Sequence, residues 1–245
     1  MKWLAFVFWA FSLNAFSQEE KSEIRELFGQ IGGRSALATL YVLNQADGSA
    51  RLTGEYLVLP LLQQRYLEGE RSKQLGVTFL REGHSQIFYG RPPSATLQGL
   101  WSDGVLKGAR YGPGGQPREK FELSEQFPSL EGYSGEVRCE AAAEGRYAST
   151  LAYVVAGGKL KAFEWRSQQP PGKQGCALQK LAQQPFSGGL RFAAAGCQVT
   201  LRDLGEYLKV AAEGCARFCS PQGVLEPLLV ERKGGGCQLL RAAAK

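Results

Sequence analysis

The sequence predicts an all-β protein: an antiparallel, barrel-like meander followed by a disulfide-stapled β domain. Three observations predict it. From Phe28 onward, apolar and β-branched runs alternate with Gly, Asp-Gly or Gly-Gly, the pattern of antiparallel hairpins. A small unit recurs within the first of these runs: Leu52-Thr53-Gly54-Glu55-Tyr56, Leu67-Glu68-Gly69-Glu70-Arg71 and Leu97-Gln98-Gly99-Leu100-Trp101. All six cysteines lie after residue 138.

The chain opens with Met1 and Lys2, passes through the apolar run from Trp3 to Phe11, and reaches Ala15-Phe16-Ser17 before the charged Glu19-Glu20-Lys21. One positive residue, a short apolar core and small residues before the break predict a signal peptide over 1–17, cleaved after Ser17. No later run is apolar for long enough to cross a bilayer, so no transmembrane segment is expected after signal removal. Removing 1–17 takes one Lys and no acid from 29 basic and 23 acidic side chains, leaving a net charge of +5. These charges are interspersed, which suits a solvated surface and argues against a nucleic-acid partner.

Residues 18–27 are polar with a few apolar residues at helical spacing, and predict a short helix or a loose N-terminal arm. The β-meander domain is expected over 28–125. Residues 35–43 read as a strand that Asp47-Gly48 turns into 50–59, which Pro60 ends. Further strands are expected at 63–71, 74–81, 85–90, 95–101, 105–110 and 118–124. In the recurring unit a period of two puts the Leu, the Gly and the last residue on one face. A Gly between two large inward residues leaves room where a sheet curves, so the meander is expected to roll into a barrel.

The order Phe28-Gly29-Gln30-Ile31-Gly32, Leu52-x-Gly54-x-Tyr56, Leu67-x-Gly69, Leu80-Arg81-Glu82, Phe88-Tyr89-Gly90 and Leu97-x-Gly99-x-Trp101 resembles a β-meander module of uncharacterised exported bacterial proteins. The resemblance covers about residues 27–124 and implies no particular activity. The Gly-x-Tyr and Leu-x-Gly spacing is also distantly similar to avidin-type barrels, whose ligand cage uses several tryptophans where this region offers only Trp101. At fold level the chain is similar to small exported lysozyme-inhibitor-like barrels.

Glu125 to Ser134, with Pro128 and Gly132, is the expected domain boundary, and a Cys-rich β domain is expected over 133–245. Strands are expected at 134–140, 147–156 and 159–166, the last two joined by a tight Gly157-Gly158 turn. Leu204 to Phe218 reads equally as helix or strand. An even cysteine count in an exported chain predicts three disulfides among Cys139, Cys176, Cys197, Cys215, Cys219 and Cys237. Cys139 to Cys176 and Cys197 to Cys237 span similar separations, so a duplicated unit favours those two pairs with Cys215 joined to Cys219; the alternative joins Cys197 to Cys215 or Cys219. Gly214-Cys215-Ala216-Arg217-Phe218-Cys219 also resembles a Gly-Cys-x-x-x-Cys-Gly signature of other exported bacterial proteins, with Ser220 in place of the last Gly. Zinc at Cys215 and Cys219 lacks a nearby His, and the three-residue spacer is not that of a thiol-exchange motif, so neither a metal nor a cofactor is expected.

No nucleophile elbow and no phosphate-binding loop occur, and the single histidine, His84, sits at a turn tip. Glu55, Glu68, Glu70 and Glu82 lie on neighbouring expected strands and could form a hydrolase's carboxylate pair, although outward surface charge is the plainer reading. Tyr56 and Trp101 are expected to share the inward face, as core or as a ligand-binding pair. Trp165, with Phe163, marks one face of a later strand, as core or as a partner-binding patch. The expected function is therefore an exported, non-catalytic binding or interaction protein of the bacterial cell envelope, its partner an envelope or extracellular protein. The alternative is a small-ligand carrier with an open β-barrel, and the third reading is a carboxylate-dependent hydrolase.

Overall fold

A computed structural model describes residues 22–74, 76–84, 92–143, 147–169 and 174–240. The expected signal peptide, residues 18–21 and the strand expected at 85–90, with Phe88-Tyr89-Gly90, lie outside the described residues. Those described are almost entirely strand, with one short 3₁₀ turn at Ala216–Phe218.

Eight antiparallel strands form a closed barrel: β1 (Ser22–Ile31), β2 (Arg34–Asn44), β3 (Ala50–Val58), β4 (Gln63–Arg71), β5 (Val77–Gly83), β6 (Ala95–Ser102), β7 (Val105–Tyr111) and β8 (Pro117–Ser124). Each pairs with its sequence neighbours, and β1 closes onto β8 with Gly29 opposite Leu123. The end where β1 turns into β2 is called upper here, and the end where β2 turns into β3 lower.

The stretch read as an arm is mostly strand. From Ser22 onward it is β1, in which Leu27 and Ile31 face the core while Glu23 and Arg25 continue the same inward row toward the lower end. Its helical look in sequence arose because the inward positions near a barrel mouth are charged, which hides the period of two.

The barrel is filled. Leu27, Leu40, Leu52, Tyr56, Leu67, Leu80, Leu97, Leu106, Phe121 and Leu123 form one buried cluster, with Trp101 packed against it. The glycines of the recurring unit are needed for that curvature: a Cβ on Gly54 would collide with the carbonyl oxygen of Thr39, and one on Gly69 with that of Phe79. A ligand carried along an open axis, the alternative expected from sequence, has no room among these side chains.

The second part is a meander in two sheets. One contains β9 (Gly135–Ala143), β10 (Tyr147–Ala156), β11 (Lys159–Gln169) and β12 (Gln174–Gln179). The other contains β13 (Ala182–Gln184), β14 (Leu190–Ala194), β15 (Cys197–Asp203), β16 (Tyr207–Glu213), β17 (Leu228–Glu231) and β18 (Cys237–Leu239). Alternate residues of both sheets, including Val137, Leu151, Tyr153, Phe192, Val199 and Val210, bury a shared core. The ambiguous stretch after Leu204 is thus strand β16 followed by the 3₁₀ turn.

The disulfides are Cys139–Cys237, Cys176–Cys219 and Cys197–Cys215. The pairs favoured by the duplication are corrected, and only the alternative Cys197–Cys215 stands. The reason is spatial: β9 and β18 are edge strands of different sheets that lie side by side, so their cysteines meet across the whole length of the second part. Three disulfides suit an oxidising compartment outside the cytosol.

The connection between the two parts is packed down. Phe127 stacks on Phe28 of β1, with ring centroids 6.2 Å apart, and the Arg202 guanidinium lies 4.4 Å from its ring centroid on another side. Leu37, Leu57 and Leu59 of the barrel's outer wall bury against Leu204, Leu229 and Leu240. Glu26 accepts hydrogen bonds from Arg202 and from the nearly buried Lys209.

Candidate functional site

The barrel interior ends in polar clusters, one at each mouth, and they differ. At the upper end Glu82 is fully buried, with 0 % of its surface exposed. It lies on the inward row with Leu80, so the expectation that the four glutamates face outward is corrected for this residue. Arg110 grips both of its oxygens, donating from Nε at 2.7 Å and from Nη2 at 2.9 Å. The Tyr56 hydroxyl donates at 2.7 Å and the Ser94 hydroxyl at 3.0 Å. Arg110 also bonds Glu119 at 3.0 Å, and Arg34 stands 3.6 Å from Glu119.

Burial works against ionisation of Glu82, yet the hydrogen bonds from Arg110 and Tyr56 together with the charge of Arg110 outweigh it and hold the carboxyl below its usual range. Burial, reinforced by Glu82, pushes the Tyr56 phenol well up. Arg110, Tyr56 and Ser94 thus all donate to the one Glu82 carboxylate, which closes the upper mouth with paired side chains. Tyr56, one of the two residues expected as core or as a ligand-binding pair, is buried in the barrel core with its hydroxyl on Glu82.

Trp101 lies at the opposite, lower end. The two aromatics share the inward face, as expected, but not a common site. Around Trp101 is a cleft of about 260 Å³ lined by Glu23, Arg25, Val42, Arg71, Asp103, Gly104 and Glu125. Arg25 bridges Glu23 at 2.7 Å and Glu125 at 2.9 Å. Arg71 is treated differently. Its guanidinium donates to Asn44 Oδ1 at 3.3 Å and stands 5.8 Å from the Trp101 ring centroid, and among the described residues no carboxylate pairs with it. The small Ala50 lies in register between Asn44 and Arg71, which is what lets those side chains meet across three strands.

The other sequence candidates are scattered. Glu55, Glu68 and Glu70 share the outer face of β3 and β4, where Glu55 accepts from Gln64, Glu68 pairs with Arg81 at 2.9 Å and Glu70 is exposed, whereas Glu82 is buried inside the barrel. His84 is exposed at the end of β5. Trp165 is core: it is fully buried and its Nε1 donates to Ser149 Oγ at 2.8 Å. Cys215 and Cys219 belong to different disulfides, so neither offers a thiolate to a metal.

Sequence reasoning missed Arg110, Glu119, Arg71 and the Glu23–Arg25 pair. The signal was parity. Arg110 falls two residues after Gly108 and four after Leu106, and Arg25 two before Leu27, so each charge sits on an apolar inward row near its end.

No known protein family, no curated protein and no solved structure matches the chain.

Proposed function

We propose that this chain is an exported, non-catalytic binding or interaction protein of the bacterial cell envelope, working in the periplasm or outside the cell after loss of residues 1–17. Its partner is an envelope or extracellular protein, met by the lower half of the barrel. The observation that carries this reading is that, of the large apolar side chains exposed among the described residues, all but Leu61 and Val224 stand on the lower half of the barrel. Ile24 and Tyr41 are cross-strand partners on β1 and β2, exposed by 64 % and 50 %. Phe79 and Leu100 lie on β5 and β6, exposed by 43 % and 57 %, with Leu100 opposite Val77. All four stand on the outer wall toward the lower end, on two flanks of the mouth that holds Trp101. Neighbouring exposed apolar groups of this kind mark surfaces that another molecule covers.

The pairing of Glu82 with Arg110 supports the non-catalytic part, since a carboxylate-dependent hydrolase needs one carboxyl kept protonated near neutral pH. A second reading, a small-ligand carrier, is favoured by one observation, the open cleft at the lower mouth; in that case the ligand sits at the barrel's end and not along its axis. Native mass spectrometry of the protein recovered from its export compartment tests both. A co-purifying protein that is lost from a Phe79→Ser, Leu100→Ser variant supports the interaction reading. An added mass of a few hundred daltons that leaves on denaturation supports the carrier, and a bare monomer counts against both.

A further inference from the structure

The two mouths of the barrel contain similar residue types, yet only the lower one leaves its charges apart. At the upper end Arg110 and Glu82 lie in direct contact and fill the space between them. At the lower end Arg71 points its guanidinium into a cleft that three carboxylates also line, and pairs with none of them. Arg25 bridges Glu23 and Glu125, and Asp103 bonds Ser102 without a basic partner among the described residues. The cleft therefore has a positive side at Arg71, a negative side at Asp103 and Glu125, and an aromatic wall at Trp101.

An inward neighbour of Arg71 adds to this. Thr78 is opposite Arg71 in register, only 1 % exposed, and its hydroxyl has no hydrogen-bond partner among the described residues. Unsatisfied polar groups of that kind are rare in a native core and call for an explanation such as a bound water or ion, although Thr78 itself does not line the cleft.

We infer that the lower mouth binds a small zwitterion with an apolar body, its carboxylate on Arg71, its ammonium toward Asp103 and Glu125, and its apolar part against Trp101. A ligand with only a negative charge would meet Arg71 but leave Asp103 without a cation, and one with only a positive charge would leave Arg71 without a carboxylate. Guanidinium and carboxylate match as a bidentate pair, which fixes the ligand's orientation. The volume, about 260 Å³, holds a molecule the size of a free amino acid. The inference rests on the binding reading above and assigns it a ligand class.

The test uses three probes on the exported, oxidised protein, followed by isothermal titration calorimetry: phenylalanine, 3-phenylpropionate and phenethylamine. Phenylalanine is expected to bind with one-to-one stoichiometry, and each single-charge analogue at least tenfold more weakly. Arg71→Ala is expected to weaken phenylalanine at least tenfold and Asp103→Asn several-fold, while Arg81→Ala on the outer wall leaves binding unchanged. Absence of binding by phenylalanine, equal affinity for phenylalanine and 3-phenylpropionate, or an unaffected Arg71→Ala variant overturns the inference. Absence of binding together with a co-purifying protein overturns this inference alone and leaves the interaction reading standing.

Discussion

The barrel contains no cysteine, whereas the two-sheet part contains all six, and their topologies explain the contrast. Closing β1 onto β8 gives every barrel strand a partner on both sides, so no edge is left to protect. The second part stops at two separate sheets with edges at β9, β12, β13 and β18. Two of its disulfides start from those edges: Cys139–Cys237 ties β9 to β18, and Cys176–Cys219 ties β12 to the segment after β16. One half is held by hydrogen-bonded closure and a buried ion cluster, the other by covalent ties. The comparison shows how a single chain can meet the same edge problem in two ways.

The strongest way to break that contrast is to remove the barrel's buried charge. Glu82→Ala leaves Arg110 without its bidentate partner, and loss of about 3–5 kcal/mol is expected, read by guanidinium denaturation at Trp101 in a Trp165→Phe background. The same group sets an acid limit. Because the folded carboxyl titrates below its usual value of about 4.3, its contribution is fully present above that pH and is lost as pH falls through the depressed folded value. Denaturation midpoints at Trp101 should therefore drop below pH 4, and Glu82→Gln should flatten that dependence.

Next in size is the converse experiment on the other half. A Cys139→Ala, Cys237→Ala double variant is expected to lose about 2–5 kcal/mol, read at Trp165 with Trp101 replaced by Phe. If the Trp101 signal of the same cysteine double variant, read instead in the Trp165→Phe background, moves by the same amount, the packed seam of Phe28, Phe127 and Leu229 makes the two parts one folding unit. If it does not, they unfold separately.

Gly69→Ala tests the geometry of closure, since the new methyl would meet the Phe79 carbonyl in a filled wall. A loss of about 1–3 kcal/mol is expected, again at Trp101. The smallest effect is expected from Arg81→Ala. Its exposed pair with Glu68 contributes within about 0.5 kcal/mol, and a larger change in denaturation midpoint would mean that the outer wall is held differently from the inner one.

Much of the strand pattern was legible because hairpin turns carry local chemistry. Gly157 and Gly158, and Asp103 with Gly104, have the positive φ that two-residue hairpins demand, and the expected strands flank them. The recurring Leu-x-Gly unit pointed correctly at a curved inward face. What stayed hidden were charges on that face. Glu82 looked like one surface glutamate among four, and the run from Ser22 looked like an arm, because a polar inward residue breaks the alternation that reveals a strand. Trp101 was visible as a candidate, but nothing in the order of residues placed Tyr56 at the far mouth from it.

By itself the sequence determined an all-β chain, the positions of most turns, an even set of cysteines suited to an oxidising compartment, and the glycines that let a sheet curl. These follow from local rules: the period of two along a strand and the few residues that accept a tight turn. Tertiary structure decided which cysteines pair, which charges turn inward and which of the two mouths stays open. Those depend on which strand edges meet after closure, a relation between residues up to 98 positions apart, and no local pattern records it.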